Sequence, residues 1–61
     1  MRAQTGDHLV VPGRHVGDSA RHGEVIEVKG PNGTPPFLVR WHDGHEGVFF
    51  PGPECRVVHP A

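Results

Sequence analysis

Cysteine is nearly absent. A lone Cys55 can form no internal disulfide and leaves any zinc site of the paired-cysteine kind without its ligands. Tyrosine is missing altogether, so the aromatic content is Phe37, Trp41, Phe49 and Phe50. An aromatic cage for a cationic ligand would consume most of what a core needs. Excess charge of either sign is lacking too: six Lys and Arg stand against seven Asp and Glu, a net charge of −1 with neutral histidines. The basic residues are scattered, which is a poor footprint for nucleic acid. Uninterrupted runs are also missing. Nine glycines and seven prolines fall so evenly that the longest stretch free of both is the seven residues Phe37–Asp43. An α-helix needs about ten unbroken residues to compete, and an interior proline costs about 3 kcal/mol. A helical bundle, a Rossmann unit, a coiled coil and a transmembrane helix are all excluded.

What remains is one domain, residues 1–61. A chain this short buries about 60% of its unfolded surface, so its expected stability is modest, roughly 3–9 kcal/mol. Valine supplies nine of the 21 apolar residues, a bias toward strands. The glycine and proline content approaches that of disordered chains, but the apolar residues come in alternating clusters, which argues for a fold. Six histidines would carry the net charge from −1 to +5 on full protonation. Five arginines to one lysine, with abundant Gly, Pro and Val, read as GC-rich coding. That compositional account is preferred to a selected pH or metal role. The start, MRAQTGDHLVV, runs straight into a strand-like pattern with no leader or lipidation motif. A soluble cytoplasmic protein with no membrane partner is the expectation.

With Gly and Pro as punctuation, five strands are predicted: His8–Pro12, Gly23–Lys29, Phe37–His42, His45–Phe50 and Cys55–His59. The turn pair Gly6-Asp7 opens the first. The loop from Gly13 to about Arg21 has no apolar period and reads as exposed. Ile26 and Val28 are expected to share a face with Glu24. The segment Gly30–Pro36 reads as a rigid connection turning at Asn32-Gly33. Asp43-Gly44 suits a two-residue hairpin turn, which would set His42 against His45 and Leu38 against Phe49. Phe37, Val39, Trp41, Glu46, Val48 and Phe50 would then form the core face. Leu38, Arg40, His42, His45 and Phe49 would form the outer one. A bulge at Gly44 would slip the pairing by one residue and exchange the faces. Five short strands with a long first loop suggest a small barrel.

The segments GDHLVVPGRHVGD, GEVIEVKGPNGTPPFLVRW and DGHEGVFFPGP resemble the actinobacterial "domain of unknown function 1918" family from about Ala3 to Val58. The run Val39-Arg40-Trp41 followed by Asp43-Gly44-His45-Glu46 is its most specific part. The resemblance implies an SH3-like β-barrel of five strands and assigns no activity. Family members often carry tyrosine where this chain has Phe37.

The fold class expected is therefore all-β, a five-stranded SH3-like barrel with no long helix. The polar interest lies around the hairpin, where Trp41 is either a stacking platform flanked by Arg40, His45 and Glu46 or a buried core residue. Burial is the preferred reading. His42 and His45, opposite each other, would be spaced to chelate Zn²⁺ or Cu²⁺, with His15 or His22 as a third ligand. Too few ligands back them for a dedicated site, and no metal or cofactor is expected. With no nucleophile motif, no phosphate-cradling loop and little room for a pocket, an enzyme is not expected, and no catalytic residue is assigned. The function expected is an interaction module contacting an unidentified protein through Leu38, Arg40 and Phe49 and the nearby first loop, as a monomer or weak homodimer. The alternative is a nucleic-acid-binding module using Arg14, Arg21 and Arg40.

Overall fold

The computed structural model describes residues 1–13 and 15–60. Five strands form one antiparallel sheet: β1 His8–Val11, β2 Arg21–Val28, β3 Phe37–Trp41, β4 Glu46–Phe49 and β5 Arg56–Val58. Their order is β4-β3-β2-β1-β5. Each expected strand is present, ended by the turn residues that punctuate the sequence. β2 starts two residues earlier than expected and takes Arg21 and His22 from the first loop. No α-helix occurs among the described residues, only a single 3-10 turn over Pro31–Gly33. There Asn32 and Gly33 both adopt positive φ, as the expected turn requires. The sheet is not closed into a barrel: β4 and β5 are its two edges.

The core lies on one side of that sheet. Leu9, Val25, Phe37 and Val39 are fully buried, with Ala3 and Trp41 beside them. Val11, Val28, Phe49 and Val57 pack against this cluster. A flat sheet cannot enclose side chains on one of its own faces. The sheet therefore curls around them, in keeping with the twist native to antiparallel strands. The N-terminal segment closes part of the remaining gap, with the Ala3 amide donating to the Gly33 carbonyl at 2.8 Å.

Two irregularities change which residues face the core. In β2, Val25 pairs with Val39 and Glu27 with Leu38, so Ile26 is an unpaired bulge residue. The bulge breaks the alternation that would have put Ile26 and Val28 on the side of Glu24. Val25 is buried and Val28 packs on the core instead. In the β3–β4 hairpin, Arg40 pairs with Glu46, Val39 with Gly47, Leu38 with Val48 and Phe37 with Phe49. The two-residue turn expected at Asp43-Gly44 is thus replaced by a three-residue loop. Only Gly44 takes positive φ (93°), and its amide donates to the Trp41 carbonyl at 2.9 Å. This is a type I turn followed by a left-handed glycine. Asp43 favours it: Oδ1 accepts the His45 amide at 3.0 Å and Oδ2 the His45 ring at 2.9 Å. Those bonds hold the Asp43 carboxyl below the usual carboxylate range. The slip leaves Phe37, Val39 and Trp41 on the core face as expected but turns β4 over. Phe49 points inward, while Val48 and Phe50 are exposed.

A buried carboxylate ties the two ends of the chain together. Asp7, 3% exposed, closes a turn in which its amide donates to the Gln4 carbonyl and Gly6 has φ 96°. Its Oδ2 accepts the Gln4 amide at 2.8 Å and its Oδ1 the His59 ring at 2.9 Å. Burial pushes the Asp7 carboxyl up, but the Gln4 amide and the His59 ring together bring it below its ordinary value. A carboxyl lowered in the folded state adds stability above its unfolded pKa and loses it as pH falls through the folded value. Asp7→Asn is accordingly expected to cost about 1–2 kcal/mol at pH 7, the price of a buried charged acceptor. The gap to wild type should close in acid, below about pH 4. Urea unfolding of both proteins at pH 7 and pH 3 measures this. An equal gap at both pH values would show that the turn, not the charge, matters.

Candidate functional site

A groove of about 650 Å³ runs between the β1–β2 loop and the segment that carries the chain from β4 to β5. Three elements supply its floor. Val11 ends β1, Phe49 ends β4, and Cys55 is buried just before β5. Cys55 is set there by a turn in which its amide donates to the Gly52 carbonyl at 3.1 Å. Phe50 also lines the groove and is 71% exposed, beside that apolar floor. Asp18, Arg21 and Glu54 place charge around it.

Trp41 does not line the groove but positions two residues that do. It is 7% exposed, and Phe49 meets its ring edge-on with centroids 5.1 Å apart. The Arg21 guanidinium lies 4.1 Å from the ring centroid on the other contact. Both geometries are attractive for a quadrupolar ring. With Arg21 held there, Asp18 and Glu54 have no ion-pair partner among the described residues. Among the described residues Asp18 Oδ2 accepts the His15 amide, at 3.2 Å. The groove therefore offers an apolar floor and two carboxylates, Asp18 and Glu54.

The residues singled out from sequence divide between two sides of the sheet. Phe49 and Arg21 belong to the groove, and Trp41 supports them from the core. Leu38, Arg40 and Glu46 lie on the outer face, where Arg40 Nε meets Glu46 Oε2 at 3.2 Å. Phe49 lies opposite Phe37 rather than beside Leu38, a placement that falls with the two-residue register. His45 sits at the hairpin tip on Asp43, and its backbone faces Trp41 rather than His42, so the His42–His45 chelate is not formed. Arg14 lies outside the described residues. Sequence reasoning missed Val11, Asp18, Phe50, Glu54 and Cys55 as neighbours. The available signal was Phe50 itself, a large apolar residue set directly against the Pro51-Gly52-Pro53 break.

Comparison with known proteins agrees with this architecture. A family model described as "Domain of unknown function (DUF1918)" matches residues 1–57. The uncharacterized protein Rv2302 of Mycobacterium tuberculosis is 44% identical over 59 residues, covering 95% of this chain and 74% of that protein. The uncharacterized protein Rv0569 of the same organism is 39% identical over 59 residues, covering 95% and 67% respectively. The solution structure of the conserved hypothetical protein Rv2302 superposes with a TM-score of 0.67 at 42% identity, covering 98% of this chain and 76% of that one.

Proposed function

The chain belongs to the DUF1918 family, and from that premise we propose that it is a non-catalytic interaction module. In this reading it is an SH3-like barrel left open between β4 and β5, and its groove takes an extended segment of a protein partner. The observation that carries this is Phe50, 71% exposed beside the apolar floor of Val11, Phe49 and Cys55. An extended peptide suits a groove bounded by loops next to a sheet edge, where side-chain pockets give specificity. The two carboxylates at the groove, Asp18 and Glu54, favour a segment with a basic residue among apolar ones. Among the described residues no histidine lines the groove, and its titratable groups are carboxylates, an arginine and a buried thiol. That set supports binding better than acid–base chemistry. The nucleic-acid reading is less well supported. Arg21 and Arg40 project from opposite faces of the sheet, one engaged by Trp41 and the other by Glu46.

The test is selection of peptides from a random library on the immobilised domain, followed by NMR footprinting of a selected peptide. Signals of Val11, Phe49, Phe50 and Cys55 should move. Phe50→Ser should weaken binding about tenfold or more, as loss of an apolar anchor does. Val48→Ser, also exposed but on the outer face, should leave binding unchanged. A footprint on Leu38, Arg40 and Val48, or full affinity in Phe50→Ser, would place the binding surface elsewhere. Binding of short DNA at low salt that Phe50→Ser does not touch would favour the alternative.

A further inference from the structure

The outer face of β1 and β2 brings together two histidines that lie fourteen positions apart in sequence. His8 Nε2 and His22 Nδ1 stand 3.1 Å apart, with ring centroids separated by 5.3 Å. Both rings are exposed. Their backbones are fixed by the β1–β2 ladder, in which His8 pairs with Glu24 and Val10 with His22. At that spacing one ring donates a proton to the other, so one nitrogen already presents a lone pair toward its neighbour.

The same separation fits a shared metal ion. Bonds of about 2.0–2.1 Å to imidazole put two ligand nitrogens about 3.3–3.4 Å apart at a tetrahedral angle, and about 2.9 Å apart at a right angle. The observed 3.1 Å falls between the two, so two exposed rings need only tilt, with no movement of the strands. We propose that His8 and His22 form a cross-strand chelate for a divalent transition metal, Cu²⁺ or Zn²⁺.

Among the described residues no three candidate ligands already surround one point, so the two imidazoles carry the site and water completes the shell. Glu24 is the carboxylate in register to join them, being paired with His8 and two residues from His22 on the same face. Its other neighbour, Arg40, pairs across β3 but is taken up by Glu46, which leaves Glu24 the freer to turn toward the metal. The remaining groups nearby are Val58, opposite His8, Arg56, opposite Val10, both from β5, and His42, which follows β3 and donates its amide to the His22 carbonyl at 2.9 Å. Two other histidines are already committed through Nδ1, His45 to Asp43 and His59 to Asp7. This distinguishes the pair from a histidine-rich surface that binds metal anywhere.

The experiment is titration of tag-free protein with Zn²⁺ and with Cu²⁺, followed by histidine ring signals in NMR and by the thermal midpoint. The His8 and His22 rings should respond first, and Cu²⁺ should bind more tightly than Zn²⁺. Saturating metal should raise the thermal midpoint, because the paired strands hold both rings at chelating distance and bind it more tightly than the unfolded chain does. His8→Gln or His22→Gln should weaken binding by about tenfold or more, at least the effect seen when merely an outer-shell partner of a ligand is lost. Each should also abolish the thermal shift. The proposal is overturned if His15, His42, His45 or His59 responds first, or if the substitutions leave the affinity unchanged. Should a variant fail to fold, the order in which wild-type rings respond decides the matter alone.

Discussion

Trp41→Ala is expected to remove most of the stability of this domain. A buried Trp→Ala change costs about 3–5 kcal/mol in transfer and cavity terms. Here the ring also holds an edge-on contact to Phe49 and a guanidinium contact to Arg21, which add about 0.5–1.5 and 0.5–1 kcal/mol. A chain of this length has roughly 3–9 kcal/mol in all. The loss is thus comparable with the whole, and among the described residues the six-residue buried cluster that Trp41 completes is the core. Each kcal/mol moves the midpoint of so small a domain by about 4–8 °C, so a fall of 15 °C or more should appear in a thermal melt. Trp41→Phe should cost much less, since a smaller ring still meets Phe49 and fills part of the space. An alanine variant melting within about 5 °C of wild type would mean that the ring is peripheral, and the support it gives the groove would go with it.

The strands were readable because each is cut off by its own turn residues. Alternation in Phe37–Trp41 also placed three core side chains without help from any partner. The register of the hairpin was not readable, for a specific reason. Asp-Gly serves a two-residue turn and a three-residue turn with a left-handed glycine equally well, and the two differ only in whether the strand ends at His42 or at Trp41. The choice falls to the two bonds from the Asp43 carboxylate to His45, which no alternation pattern encodes. A single such choice turned over every side chain of β4 and moved Phe49 from the outer surface to the core. The Ile26 bulge did the same to the end of β2. The groove was hidden for another reason: Val11 and Cys55 meet only because β1 and β5 pair through Leu9 and Val57, a contact between the two ends of the chain. Local pattern carries strand identity, whereas sites assembled from both ends depend on topology. The Asp7–His59 bond, spanning 52 positions, is another case of the same kind.

Gly23→Ala should destabilise although it adds a favourable methyl to a strand. Replacing glycine ordinarily gains about 0.4–1 kcal/mol by restricting the unfolded chain. At Gly47, where an added Cβ meets nothing within 4 Å, that gain should be visible in Gly47→Ala. Gly23 is different. It pairs with Leu9 on one side and Trp41 on the other, and its added Cβ would lie 2.5 Å from Val39 Cγ1 and 2.9 Å from Trp41 Cε3. Neither neighbour can give way easily. Val39 is fully buried with a stiff χ1, and Trp41 is wedged between Phe49 and Arg21. Overpacking of this kind costs about 1–3 kcal/mol, which outweighs the entropic gain. The sharper test is a double-mutant cycle. Val39→Ala alone leaves a cavity and destabilises, but in that background the methyl at position 23 has somewhere to go. The double variant should be more stable than the sum of the single effects by about 1 kcal/mol, a coupling typical of residues in contact. Additivity within about 0.3–0.5 kcal/mol would show that position 23 does not press on Val39. The close approach of β2 to the Trp41 ring, and with it the packing that holds Phe49 and Arg21 at the groove, would then need another explanation.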